Sequence, residues 1–235
     1  MDPWRIVLVG FVALGLVLFF FSGPEEVPGL VGGVLIEEGI YVVERGGERR
    51  GEEAFAVWLL DSGFRIDSRA QIGRERITAS LVLDPAWNPL YYVEKGRAHV
   101  TFRIVDGKPT LRVGAGLFVR PAELDALPPF ALLGAEAVAP WFAVYRCLQT
   151  SPAPGWTAIL AGGRATAPLI ASPSEAVGLI VGERMLPAER YRVQVGEREI
   201  SLYGQGELLL ALSAPSEGLV FYLKEMLPDG LHLAP

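Results

Sequence analysis

Few residues of this chain have the types from which catalytic or metal sites are built. Its histidines are His99 and His232, and its one cysteine is Cys147. The histidines lie more than half the chain apart, and no His-Glu-x-x-His, Cys/His cluster or calcium-loop pattern places further ligands beside either. Cys147 falls in an apolar stretch, where the expected role is that of a small buried hydrophobe. Gly114-Ala115-Gly116 and Gly162-Gly163-Arg164 lack the strand-to-helix setting that phosphate binding needs, and no Gly-x-Ser-x-Gly occurs. Lysine is confined to Lys95, Lys108 and Lys224, which leaves little for a Ser-Lys dyad. Glu52-Glu53, or Asp61 with Asp67, could in principle do general acid–base work. Adjacent acids at strand ends are normally solvated, so the expectation is a protein without catalysis, metal or cofactor.

The residues suited to binding are more numerous. In Phe64 to Ala70 (FRIDSRA), Phe64, Ile66 and Ser68 alternate with Arg65, Asp67 and Arg69, so period two puts the charges on one face of a strand. Arg65 and Arg69 could hold an acidic head group, or pair across strands with acids. Trp58, Trp87, Trp141 and Trp156 either line a pocket or pack a core. The run Phe130 to Gln149 (FALLGAEAVAPWFAVYRCLQ) is the most apolar part of the chain after its start. Within it Phe130, Leu132, Leu133, Trp141, Phe142 and Tyr145 are the expected lining or lid of a hydrophobic site.

These residues need elements to hold them. From Gly39 on, short apolar runs alternate with turn signals, the mark of an antiparallel all-β fold. Ile40 to Glu44, Ala54 to Asp61, Phe64 to Ala70, Arg76 to Asp84, Leu90 to Glu94, Ala98 to Val105 and Pro109 to Val113 read as strands, with Asp106-Gly107 a strong hairpin turn. Asp84-Pro85-Ala86-Trp87-Asn88-Pro89 reads as a turn. Later strands are expected at Trp156 to Leu160, Ala176 to Val181, Arg190 to Val195, Glu199 to Tyr203, Leu208 to Ser213 and Leu219 to Leu223. Between them, a helical insert is expected over about 121–149: one turn at Pro121 to Asp125, then Phe130 to Gln149 as one helix broken at Pro140, or two short helices. A helix so apolar must be covered nearly all round. The fold class expected is mainly β: a curved antiparallel sheet, or half-barrel, around a central apolar helix. Ile77 to Glu94 and Glu199 to Ser213 share a strand–turn–strand pattern, which either marks two related meanders or is common to hairpins in general.

The chain begins with Trp4 to Ser22, an apolar run broken only by Arg5. About 20 such residues span the roughly 30 Å of bilayer hydrocarbon as one helix. Phe19-Phe20-Phe21 occupies positions where a cleavage site needs small residues, which favours an uncleaved transmembrane signal anchor over 1–23. Residues 24–34 read as a Pro/Gly-rich linker, 35–227 as an extracytoplasmic β-rich domain and 228–235 as a tail. Arg5 before the span, and Glu25 and Glu26 after it, orient the C-terminal domain outside the cytoplasmic membrane. The formal net charge of −6 disfavours nucleic acid as a partner.

Arg65-Ile66-Asp67-Ser68-Arg69, then Leu81-Val82-Leu83-Asp84 with Trp87-Asn88-Pro89-Leu90, resembles envelope proteins of the LolA/LolB-like type. The run from Tyr191-Arg192-Val193 to Gly206-Glu207-Leu208-Leu209 resembles the last strands of such domains, so the likeness covers Gly39 to Leu223. It implies an open half-barrel with a helix in its mouth that binds acyl chains. One anchor followed by a β-domain is also similar, in architecture, to the LptC type of lipopolysaccharide bridge. The leading expectation is a membrane-anchored envelope protein that binds a lipid or other hydrophobic ligand. The alternative is an interaction or scaffold subunit of an envelope complex, with a filled core and envelope proteins as partners.

Overall fold

The structure, a computed structural model, describes residues 32–96, 99–114, 121–126, 129–133, 137–150, 156–160, 165–181 and 184–224. The expected anchor at 1–23, most of the linker and the tail at 228–235 lie outside the described residues. Among the described residues no helix is long and apolar enough to cross a membrane.

The described residues from 34 to 224 form a large, curved, open sheet with one α-helix and a single 3-10 turn at Pro215–Glu217. Strands β1 (Val34–Arg45), β2 (Glu48–Leu60), β3 (Gly63–Ile72), β4 (Glu75–Leu83), β5 (Pro89–Lys95), β6 (His99–Val105), β7 (Lys108–Val113) and β8 (Ala122–Glu123) run as an unbroken antiparallel meander. After β9 (Phe130–Leu133) comes helix α1 (Ala139–Thr150). Then follow β10 (Trp156–Leu160), β11 (Ala165–Ala171), β12 (Glu175–Val181), β13 (Arg184–Val195), β14 (Arg198–Gln205), β15 (Leu208–Ala214) and β16 (Leu219–Leu223). The spatial order is β8 through β1, then β16 back to β13, then β11, β10 and β9; β12 pairs β13. The two series join where β1 pairs β16, Tyr41 opposite Leu223 and Arg45 opposite Leu219. Only β9 and β10 pair in parallel among the described strands, as a strand–helix–strand connection requires.

Period two sorts the faces. Phe55 and Val57 on β2, Ile66 on β3, and Leu81 and Leu83 on β4 point inward and share one core cluster with α1. The meander makes one end of the sheet distinct. There β1, β3, β5 and β7 begin, and β2, β4 and β6 end. This end carries the turns at 61–62, 84–88 and 106–107. By the pairing of β1 with β16 and β16 with β15, it also carries the β14–β15 turn at 206–207. We call it the rim. Asp106 (φ 52°) and Gly107 (φ 76°) make one of its two-residue turns left-handed, as an Asp-Gly hairpin does.

The expected helical insert is corrected in two places. Pro121 to Asp125 holds no helical turn: Ala122–Glu123 is the short strand β8. Phe130–Leu133 is strand β9, and the helix starts only at Ala139. The physical reason is that all four β9 side chains are buried. A strand covered on both faces has a continuous apolar run with no alternation, and periodicity cannot separate that from a buried helix. The helix that remains has Pro140 in its first turn, where its missing N–H costs nothing.

Candidate functional site

Helix α1 is enclosed. Every residue from Ala139 to Leu148 is buried, Arg146 included, and the helix packs on β3, β4 and β9. Its two ends carry the polar groups worth examining.

At the N-terminal end, Glu53 of β2 is wholly buried, and its Oε2 accepts the N–H of Val138 at 2.8 Å. A carboxylate at a helix start meets orphan N–H groups and the positive end of the helix dipole. Burial raises the Glu53 carboxyl to about 7; the Val138 N–H, the Ser68 hydroxyl and the Ala139 N–H pull it back, and the charge of Glu94 raises it. Glu94 on β5 is buried too, and accepts a short hydrogen bond from the Tyr92 hydroxyl. Burial, then the Glu94 charge, holds the Tyr92 phenol well above its ordinary value. These groups have the composition of an acid–base site, but Glu53, Glu94 and Tyr92 are all buried.

At the C-terminal end, α1 reaches the rim. The Arg146 guanidinium stacks over Trp87, 4.8 Å from the ring centroid, and pairs with Glu207 at 2.6 Å. Trp87 gets there through a left-handed backbone (φ 67°) in the 84–88 turn. Asp84 fixes that turn by accepting the N–H groups of Ala86 and Asn88, both at 2.8 Å, and the Asn88 side-chain amide at 2.9 Å. Tyr145 donates to the Gly206 carbonyl at 2.8 Å, and Gln149 donates to Tyr145 Oη at 2.9 Å. Thr150 closes the helix by donating to the Cys147 carbonyl at 3.1 Å. Glu37 of β1 faces this group with its Oε1 buried and unpaired among the described residues. Its carboxyl is raised to about 7 by burial, lowered by Arg146 and raised by Glu207. Burial, with Asp84 second, pushes the Cys147 thiol up to about 11, which makes it a poor nucleophile.

The residues expected to bind a ligand divide into two sets. Phe130, Leu132, Leu133, Trp141, Phe142 and Tyr145 come together as core, all buried. Phe130 meets Phe102 edge-on at 5.8 Å, and Phe142 meets Phe55 at 5.8 Å. Between α1, β9 and the 84–88 turn, beside Trp87, Phe130 and Trp156, lies a void of about 10 Å³ open to the centre of a water-sized sphere. That is room for about one water. Arg65 and Arg69 sit on the opposite face of β3, away from the helix. Arg65 pairs with Asp67 at 3.0 Å and lies over Trp58 at 5.2 Å, while Asp67 also accepts from Ser80 at 2.8 Å. The geometry therefore parts the arginines from the apolar set they were expected to serve.

Comparison with protein-family models, with curated proteins and with solved structures finds no match to this chain.

Sequence reasoning named Glu53, with Glu52, as a possible acid–base pair and expected it solvated, whereas Glu53 is wholly buried; it missed Glu94, Glu37 and Arg146. Glu53 was legible in outline: it shares a period-two face with Phe55 and Val57, which places it inward. Among the described residues no group of three or more His, Cys, Asp or Glu is arranged to hold a metal ion.

Proposed function

We propose that this chain is a non-catalytic interaction module of a cell envelope, held at the membrane by Trp4 to Ser22, in which a half-barrel sheet is filled by its own helix. The observation that carries this reading is the complete burial of α1 from Ala139 to Leu148 beside a void of about 10 Å³. Sites for small molecules run to about 300–1,000 Å³, and an acyl chain needs a space of that order. The side chains that would line a lipid groove belong to one buried core cluster instead. The buried acids support the same reading: Glu53 is spent on the start of α1, which fixes the helix in the sheet rather than leaving it as a gate. Partners then meet the outside of the sheet, its edges at β8 and β9, or its rim.

The test is native mass spectrometry of the full chain, purified from its producing membrane in mild detergent, with lipid extraction of the same sample. A clean apo mass that does not change on adding phospholipids supports the module. Stoichiometric retention of one lipid class overturns it in favour of a lipid carrier of the LolA/LolB-like kind.

A further inference from the structure

The large exposed apolar side chains are not scattered. Among the described residues, all but Ile170 lie at the rim. β1 enters there with Val34, Leu35 and Ile36, the first of them 66% exposed, and β2 ends there with Leu59 directly opposite Val34. Leu90 begins β5 and Val105 ends β6 on the same side. The β12–β13 hairpin carries the rest. Glu189 of β13 pairs with Gly204 near the end of β14, so Arg184 to Ala188 runs on beyond β14 with β12 beside it. Near its tip are Ile180, 40% exposed, and Met185, 71% exposed, directly opposite each other.

The other end of the sheet has the opposite character. Its turns read Arg45-Gly46-Gly47-Glu48-Arg49-Arg50, Gly73-Arg74-Glu75-Arg76 and Gly196-Glu197-Arg198-Glu199. The domain is thus polarised along its strands, with charge at one end and apolar side chains at the other. Isolated exposed hydrophobes are ordinary; their collection at one end of a domain marks a contact surface.

The chain itself indicates the occupant. Residues 23–33, between the apolar run and Val34, span at most about 40 Å when fully extended. Because β1 begins at the rim, the linker enters the domain at that end. The charges of the rim include the acids Asp61, Asp84, Asp106 and Glu207; against them stand Arg184 at the hairpin tip, Arg146, paired to Glu207 at 2.6 Å, and Lys108, paired to Glu123 at 3.1 Å. That balance gives no net attraction to anionic head groups.

We propose that the rim seats on the lipid surface itself, with Val34, Leu35, Ile36, Leu59, Ile180 and Met185 entering the interface of a zwitterionic phospholipid leaflet. This rests on the reading of Trp4 to Ser22 as an anchor. Apolar burial drives the contact, so it is insensitive to salt. It holds the charged turns away from the membrane, where a partner reaches them.

The test uses the full chain in a Cys147→Ala background, reconstituted in phosphatidylcholine vesicles. Single cysteines replace Leu59, Ile180 or Met185 at the rim and Arg74 or Glu197 at the far turns, each carrying a nitroxide. Collision with oxygen, which concentrates in lipid, is compared with collision with a water-soluble nickel chelate. All five positions are on exposed side chains, and thermal melts confirm that each variant keeps the fold. The expected result is a several-fold higher oxygen-to-nickel ratio at the rim labels than at the far ones, unchanged in high salt. Equal ratios, with the chain still floating with vesicles and resisting alkaline extraction, overturn the rim contact and leave the anchor standing. Rim labels shielded from both reagents also overturn it, since a protein partner is then the occupant. Release of the chain by alkali overturns the anchor reading and this inference together.

Discussion

Glu53 Oε2 lies 2.8 Å from the backbone nitrogen of Val138, 85 residues along the chain, and accepts its N–H. One carboxyl on β2 thereby fixes where α1 begins, and its burial gives the fold a pH dependence. The Glu53 carboxyl is raised from 4.5 to about 7, while in the unfolded chain it titrates near 4.5. Below 4.5 both states hold the proton. Between 4.5 and 7 the unfolded state gives it up and the folded state keeps it, so stability falls as pH rises through that window and is flat above it. At about 1.4 kcal/mol per unit, Glu53 alone accounts for about 3 kcal/mol of that fall. Glu37 shifts in the same direction and adds to it. Glu53→Gln keeps an oxygen for Val138 and removes the titration. Urea unfolding at pH 5 and pH 8 should show the variant little changed at the lower pH and stabilised at the higher. An unaltered slope in the variant would show that Glu53 is ionised in the fold.

Trp141 is buried on α1, in the position that either a groove lining or a core residue would occupy. It belongs to the buried core cluster, so Trp141→Ala should cost about 3–5 kcal/mol of stability, the range for a large aromatic removed from a close-packed interior. Denaturant titration measures this directly. A loss below about 1 kcal/mol would mean the site collapses freely, which a loosely seated lid does and a filled core does not.

Much of this fold can be read from the residues. β10 and β16 fall where alternation and turn signals put them, at Trp156–Leu160 and Leu219–Leu223, and the strands from β3 to β7 fall within a few residues, while β2 starts at Glu48, six residues before the expected Ala54. Those strands have one wet face, so their pattern survives in the sequence. β11, Ala165–Ala171, was not expected: small residues and Pro168 leave it without a strong strand signal. β9 was mistaken for helix because burial on both faces erases its alternation. The site was less legible than the fold. Acids at strand positions are ordinarily solvated, and what meets Glu53 in the core is a helix start far away in the chain, which no local pattern encodes.

Arg146 and Glu207 form an unequal pair. The Arg146 side chain is 9% exposed and stacks on Trp87, while the Glu207 side chain is 81% exposed. Glu207→Gln should therefore cost under about 1 kcal/mol, as for other solvent-screened partners. Arg146→Ala removes a cation–π contact and buried methylenes as well, and should cost about 2–4 kcal/mol. It also removes the positive charge that holds Glu37 down, so the Glu37 carboxyl should titrate above 7 in the variant. Carboxyl-carbon NMR against pH reads that shift. A Glu37 titration that stays in place would show that Arg146 does not act on it.

Gly204 and Tyr145 fit only because one of them lacks a side chain. A Cβ at Gly204 would sit 2.1 Å from both Cζ and Oη of Tyr145, far inside contact distance. The ring has nowhere to go, since Tyr145 is fully buried and its hydroxyl is tied to the Gly206 carbonyl at 2.8 Å. Gly204→Ala should cost about 1–3 kcal/mol by overpacking. In a Tyr145→Ala background the same change should cost nothing, because its obstacle is gone, giving a coupling of the same size in a double-mutant cycle. Gly51 is the control. There a Cβ would lie 1.8 Å from the Gln71 backbone carbonyl, so Gly51→Ala should destabilise whichever side chains surround it. If Tyr145→Ala fails to rescue Gly204→Ala, the ring does not lie flat on β14, and α1 is seated differently against that wall of the sheet.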